Sequence, residues 1–253
     1  MIGFNYLGKL GQLGNQMFQY ASLKGIANQN GYNYCIPNHN EIFEDGLGNR
    51  LHIELFKPFV LENFGDLNVQ LIDKDRPVVQ EGSFHFNEEL FNNCPDWVCL
   101  HGFFQTEKYF KNIEQEIRED FRFNDDILIP CKEMMDEFGE PPLSLHIRRG
   151  DFLINSANHH NLGLDYYEND PEWCSNQELF ADDRFLVAEG NSPYVDMCLM
   201  SMCEGHIIAN SSFSWWGAWL ANSQKVVAPS VWFGPNNAHL DIKDLYLDHW
   251  EVI

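Results

Sequence analysis

The sequence predicts an α/β protein of two Rossmann-like halves with mostly parallel sheets, and three observations predict it. The chain opens as a strand, a loop rich in glycine and amide side chains, and a helix; a strand and helix alternation recurs from Leu143 to Ala228; and the breaker Gly139-Glu140-Pro141-Pro142 lies between them. Such alternation favours a parallel sheet that binds ligands at the carboxyl ends of its strands.

Taken in order, Ile2–Leu7 reads as the first strand. Gly8, Gly11, Gly14, Asn15 and Gln16 make the loop, and Met17, Phe18, Tyr20, Ala21 and Leu23 carry a helix to about Asn28. Tyr32–Pro37 is the next strand candidate, while Asn38–Leu51 is polar, bears glycine and is expected to be irregular. Pro77–Glu81 and Trp97–His101 read as short strands. Phe110, Ile113, Ile117 and Phe121 recur every three or four residues and predict a helix over Glu107–Phe121. Lys132–Phe138 reads as a helix before the breaker. Beyond it the pattern gives a buried strand Leu143–Ile147, a helix Val195–Cys203, a strand His206–Ala209, a helix Ser212–Ala221 and a strand Lys225–Ala228. The division into halves is placed at 1–130 and 131–253.

Composition removes several function classes. At 253 residues and 44% hydrophobic, the chain can bury a real core and is not a disordered tail. A net charge of −22 repels nucleic acid and anionic membranes as general partners. The opening residues lack the charged and apolar regions of a secretory signal, and no run of about 18 apolar residues occurs, so a soluble, cytoplasmic protein without a transmembrane segment is expected. Seven scattered cysteines with no Cys-x-x-Cys indicate reduced thiols rather than a disulfide framework or a zinc ribbon.

Three segments can carry chemistry. In His146-Ile147-Arg148-Arg149-Gly150-Asp151, two of the chain's seven arginines stand together where a strand runs into a loop. Guanidinium forks there can grip a phosphate, with Asp151 orienting them or taking a proton; a solvated arginine pair is the plain alternative. Asn210-Ser211-Ser212-Phe213-Ser214 opens a helix after a strand, which offers hydroxyls and free N–H groups to a diphosphate, or simply caps the helix. Gly11-Gln12-Leu13-Gly14-Asn15-Gln16 lets the backbone approach a ligand and offers amide donors, yet it is neither the dinucleotide fingerprint nor a P-loop. Asp73-Lys74-Asp75 reads as a solvated turn, His159-His160 as a surface loop or a proton relay, and Met197, Met200 and Met202 as core filling.

Together, Gly11–Ala21, His146–Phe152 and Asn210–Leu220 resemble, nearly letter for letter, the motifs of the α-1,2-fucosyltransferases, glycosyltransferase family 11. Gly102–Phe110, Tyr194–Cys203 and Pro229–Phe233 extend the resemblance over almost the whole chain in the family's order. The resemblance implies a GT-B-like fold, GDP-β-L-fucose as donor, a galactose-terminated glycan as acceptor, and inversion at the anomeric carbon with no metal and no cofactor. It implies that Arg148 and Arg149 hold the pyrophosphate, with His146 and Asp151 framing their loop, so that Arg149, Asp151 and His146 form the expected catalytic set. Asn210, Ser211, Ser212 and Ser214 would surround the phosphates, Asp196 would lie near the nucleotide, and Gly14, Asn15 and Gln16 would line the cleft from the amino-terminal half. Metal-free chemistry is coherent physically, because guanidinium groups neutralise a departing pyrophosphate as a divalent cation would. Asp151 is the first candidate for the base, with His159, His160 and Asp165 as alternatives.

One departure stands out. After Tyr166-Tyr167-Glu168 the family pattern runs through a helix into a further strand, whereas here Asn169-Asp170-Pro171 follows at once, so the donor half lacks one helix and strand. A trimmed working enzyme and a weakly active or non-catalytic sugar-nucleotide binder both fit that departure. An NAD-dependent dehydrogenase, the remaining alternative, lacks its glycine fingerprint.

Overall fold

Short apolar runs bounded by glycine and polar residues make short strands here, and the largest buried side chains come from both helices and loops. The computed structural model describes residues 1–44, 50–62, 64–65, 68–148, 150–163 and 185–253, the side chains of residues 43, 50, 150 and 151 excepted. The stretch carrying the expected loss of a helix and strand lies outside the described residues, as do Arg149 and Asp165. The chain forms two compact units, residues 1–124 with 241–247 and residues 125–240 with 248–253.

In the first unit β1 (Ile2–Gly3) leads to α1 (Leu13–Gln29), β2 (Tyr34–Cys35), β3 (Ile42–Glu44), β4 (Arg50–His52), β5 (Val78–Gln80), α2 (Glu88–Asn93) and β6 (Val98–His101). The sheet order is β2-β1-β6-β5 and every pairing is parallel. Helix α1 is buried almost all round, from Leu13 to Ala27, which is what a central helix requires. Gly25 explains how closely it packs: a Cβ there would fall 2.0 Å from the Tyr109 carbonyl oxygen. Beneath it Lys24 and Asp120 form a buried ion pair at 2.6 Å, and the Tyr20 hydroxyl donates to the same carboxylate at 3.0 Å.

The second unit holds α4 (Asp125–Asp136), β7 (Leu143–Leu145), α5 (Gly150–Ile154), α6 (Pro193–Met200), β8 (Gly205–Ile207), α7 (Ser212–Leu220), β9 (Lys225–Ala228) and β10 (Glu251–Val252), with α3 (Glu114–Asp120) belonging to the first. Its sheet order is β10-β9-β8-β7, again entirely parallel. Trp215, Trp216 and Trp219 fill its core with Trp250, Met197 and Cys198. Both units are thus α/β with parallel sheets.

Four local expectations need correction. Asn38–Leu51 is not irregular throughout, because β3 and β4 pair as an antiparallel hairpin. Glu107–Phe121 is two 3₁₀ turns followed by α3, the backbone breaking at Phe110 (φ −135°) and Ile113 (φ −130°). Phe110, Ile113, Ile117 and Phe121 are nonetheless all buried, since a spacing of three or four cannot separate 3₁₀ from α geometry. Helix α4 starts seven residues earlier than the sequence suggests and passes through Pro130, crossing the 130/131 division. Strand β7 is not buried: Leu143 is 68% exposed, and among the described residues β7 pairs only with β8.

Candidate functional site

In the second unit the carboxyl ends of β7, β8 and β9 converge through side chains that the sequence singled out. His146 extends the β7–β8 ladder, its N–H donating to the Ile207 carbonyl at 3.0 Å. Its ring lies 5.5 Å from that of Phe213 in the first turn of α7. Burial, and after it the charge of Arg148, push the His146 imidazole down to about 4, so at neutral pH it carries no charge.

Arg148 places its guanidinium 5.1 Å above the ring of Phe152. The same ring stacks on His159 at 4.1 Å, which draws that histidine into the wall of the loop. A cation over an aromatic face keeps its charge while part of its solvent is removed. Of Asp151 the structure gives the backbone, in α5; its side chain and Arg149 are outside the described residues.

Asn210 is buried and joins three loops. Its amide nitrogen donates to the His160 carbonyl at 2.8 Å and to the Trp232 carbonyl at 2.9 Å. Ser211 is the N-cap of α7, its hydroxyl accepting from the Phe213 N–H at 3.3 Å. Ser214 is fully buried and donates back to the Ala209 and Ser211 carbonyls, so it holds the turn rather than facing outward. Ser212 is partly exposed at the first residue of the helix, which carries no acidic residue in its first turn. A helix N-terminus carries N–H donors and a partial positive charge, and Arg148 adds a cation on the loop after β7. Asp196 stands in the first turn of α6, where Asn191 donates to it at 3.1 Å and burial raises its carboxyl pKa.

In the first unit Gly11 (φ +85°) turns the chain into α1, and a Cβ there would meet Asn15. Gln16 is buried, donating to the Gly11 and His52 carbonyls and accepting from the Glu54 N–H at 2.8 Å. Gly14 is buried as well. Asn15 is partly exposed and accepts from Gln105 Nε2 at 2.7 Å. Gly14, Asn15 and Gln16 therefore all lie in the first turn of α1 rather than in the loop the sequence suggests; Gly14 and Gln16 are buried there, and Asn15 alone of the three keeps open surface.

Sequence reasoning passed over Phe152 and Phe213, which set the attitude of Arg148 and His146. It also passed over Glu81 and Gln105 in the first unit. Glu81 had a weak signal, since it ends a predicted strand of a parallel sheet.

A family model described as glycosyl transferase family 11 matches residues 156–253. The chain is 32% identical to an alpha-1,2-colitosyltransferase of Escherichia coli, the alignment covering 88% of this chain and 90% of that one. It is 33% identical to the O-antigen biosynthesis glycosyltransferase WbnK of Escherichia coli over 64% of each chain. With the Homo sapiens galactoside alpha-(1,2)-fucosyltransferase 1 it shares 22% identity, over 85% of this chain and 65% of that protein. No solved structure matches.

Proposed function

Because the chain belongs to glycosyl transferase family 11 and is an α-1,2-fucose-type sugar transferase, we propose that it moves L-fucose from GDP-β-L-fucose to the 2-hydroxyl of a terminal galactose, with inversion and without a metal. The observation that carries this reading is Arg148 on the loop after β7 together with the capped N-terminus of α7 after β8, in a protein of net charge −22. A locally cationic mouth in an acidic protein suits a diphosphate, because distant surface charge is screened within about 10 Å.

In the proposed step the acceptor oxygen bonds to the anomeric carbon as the bond to the β-phosphate oxygen breaks, and GDP leaves with the electron pair. Arg148 and Arg149 spread the charge of the departing pyrophosphate, which is where preorganised donors lower a barrier most. Neutral His146 holds the loop and contributes hydrogen bonding without adding charge. Asp151 takes the proton of the acceptor hydroxyl late in the step. Asn210, Ser211 and Ser212 shape the phosphate end of the site. A GT-B-like arrangement is supported by the presence of one parallel sheet in each unit. All described cysteines are free thiols, which supports a reducing, cytoplasmic setting.

The test is GDP release from GDP-fucose with a β-galactoside acceptor in EDTA. Turnover that EDTA leaves intact and Arg149→Ala abolishes is the expected result; a rate in Arg149→Ala within a few-fold of the parent overturns the assigned role. A second donor is favoured by the similarity to a colitosyltransferase. Colitose is fucose without its 3-hydroxyl, so GDP-fucose and GDP-colitose in direct competition decide between them. Stabilisation by GDP without transfer from either donor would favour the non-catalytic alternative.

A further inference from the structure

The carboxyl edge of the first unit's sheet carries a polar cluster that the donor chemistry does not use. Glu81 follows β5, and its backbone N–H donates to the His101 carbonyl at 2.8 Å. Its carboxylate accepts from the Phe103 N–H at 2.7 Å and from the Phe104 N–H at 3.0 Å. This clamp shapes the loop after β6. Gly102 has φ +158° and a Cβ there would fall 2.4 Å from Glu81 Cβ, while Phe104 sits in the left-handed region at φ +54°.

The two neighbouring phenylalanines end up in opposite settings. Phe104 is fully buried against Phe4 and Tyr109, whereas Phe103 remains 40% exposed. Gln105, only 7% exposed, donates to Asn15, yet its Oε1 is buried and accepts no hydrogen bond among the described residues. His101 Nδ1 is in the same condition, with the ring of Tyr6 edge-on at 4.5 Å. Buried polar atoms are usually satisfied, so two unsatisfied ones on the strand end and loop that Glu81 clamps, with Phe103 exposed on the same loop, point to a ligand at this edge.

We propose that Glu81, Phe103, Gln105 and Asn15 form a subsite for a neutral pyranose, the acceptor sugar of the reaction proposed above. The Phe103 ring takes the apolar face of the sugar, and Gln105 Oε1 and a remaining lone pair of Glu81 accept from its hydroxyls. Burial holds the Glu81 carboxyl up to about 7, which keeps it from being an ordinary solvated surface acid. Its identification as the acceptor subsite rests on the transferase reading; binding of the sugar does not.

The experiment is saturation-transfer NMR of methyl β-D-galactopyranoside with the whole protein, run beside GDP-induced thermal stabilisation. The sugar should receive saturation from the parent protein, and Phe103→Ala should reduce that signal at least fivefold while the GDP-induced shift stays. Glu81→Gln tests the clamp, but it perturbs two backbone N–H partners, so Phe103→Ala, whose ring is surface-exposed, is the decisive variant. In turnover, the KM for the galactoside should rise at least tenfold in Phe103→Ala with the KM for the donor unmoved. No saturation transfer to the parent protein at millimolar sugar, or an undiminished signal in Phe103→Ala, overturns the subsite. Sugar binding without a GDP shift keeps the subsite and sinks the donor reading; the reverse outcome does the opposite.

Discussion

The two units carry the same kind of sheet and treat charge in opposite ways. The first unit buries its strongest ion pair, Lys24 with Asp120, deep under α1, and leaves at its sheet edge a carboxylate, two amides and an exposed ring. The second keeps His146 and His206 neutral by burial and sets Arg148 and the Ser211-capped N-terminus of α7 at its mouth. Parallel sheets put loops from both units in a position to bind; the side chains at the strand ends decide what is bound. An anion suits the second and a hydroxyl-rich neutral ligand the first.

The comparison breaks most visibly if the buried charge of the first unit is not structural. Lys24→Ala strands Asp120 in a site with no exposure, so a loss of about 3–5 kcal/mol is expected in urea unfolding. The double variant Lys24→Met with Asp120→Leu should recover most of it, because removing both charges removes the penalty. If the single variant lost under 1 kcal/mol, the pair would be incidental.

Next in size is Arg148→Ala. Removing one donor from a developing charge typically lowers turnover about 10²–10³-fold, roughly 2.7–4 kcal/mol. The loss should fall on kcat, and the GDP-induced thermal shift should shrink with it. Equal activity in the variant would leave the mouth of the second unit no different in kind from that of the first.

Much of this contrast was legible in the sequence. The Arg148 loop and the Ser211 cap could be placed because strand-to-loop and loop-to-helix junctions have local signals. The pairing of β3 with β4 was missed because the strands are three residues each and the sequence between them is polar and bears two glycines. The breaks in Glu107–Phe121 were missed because burial keeps the same period through both helix types. Ser214 and Gln16 looked like ligand groups, and their hydrogen bonds to carbonyls of distant or turned backbone are tertiary facts that no spacing reveals. Gln105 had at most a weak signal for the same reason: its neighbour Asn15 is ninety residues away.

Proton binding sharpens the comparison with opposite signs. His146 and His206 are both pushed down to about 4, so each binds a proton more readily once unfolded. Their contribution is whole above about 6.5 and is lost as pH falls toward 4, on the order of 3 kcal/mol each by linkage. Glu81 is raised to about 7, so its contribution is whole below about 4.5 and is lost as pH rises through 7. Hydrogen exchange at Trp215 and Trp219 should therefore gain protection between pH 4.5 and 7, while that at Ile26 and Phe110 gains less or declines. Parallel changes in both units, or an unchanged slope in Glu81→Gln, would refute the assignment.

The smallest expected effect concerns the cap itself. Ser211→Ala removes the acceptor of the Phe213 N–H, and losing an N-cap costs about 1 kcal/mol, which should appear as a modest fall in the urea midpoint of the second unit. Ser211→Asp separates capping from anion binding. Aspartate is an equally good cap and restores the midpoint, but its charge occupies the helix terminus proposed for the pyrophosphate. GDP stabilisation should then be lost although the fold is restored. If Ser211→Asp kept the full GDP shift, the α7 terminus would be only a capped helix, and the arginine loop would have to hold the diphosphate by itself.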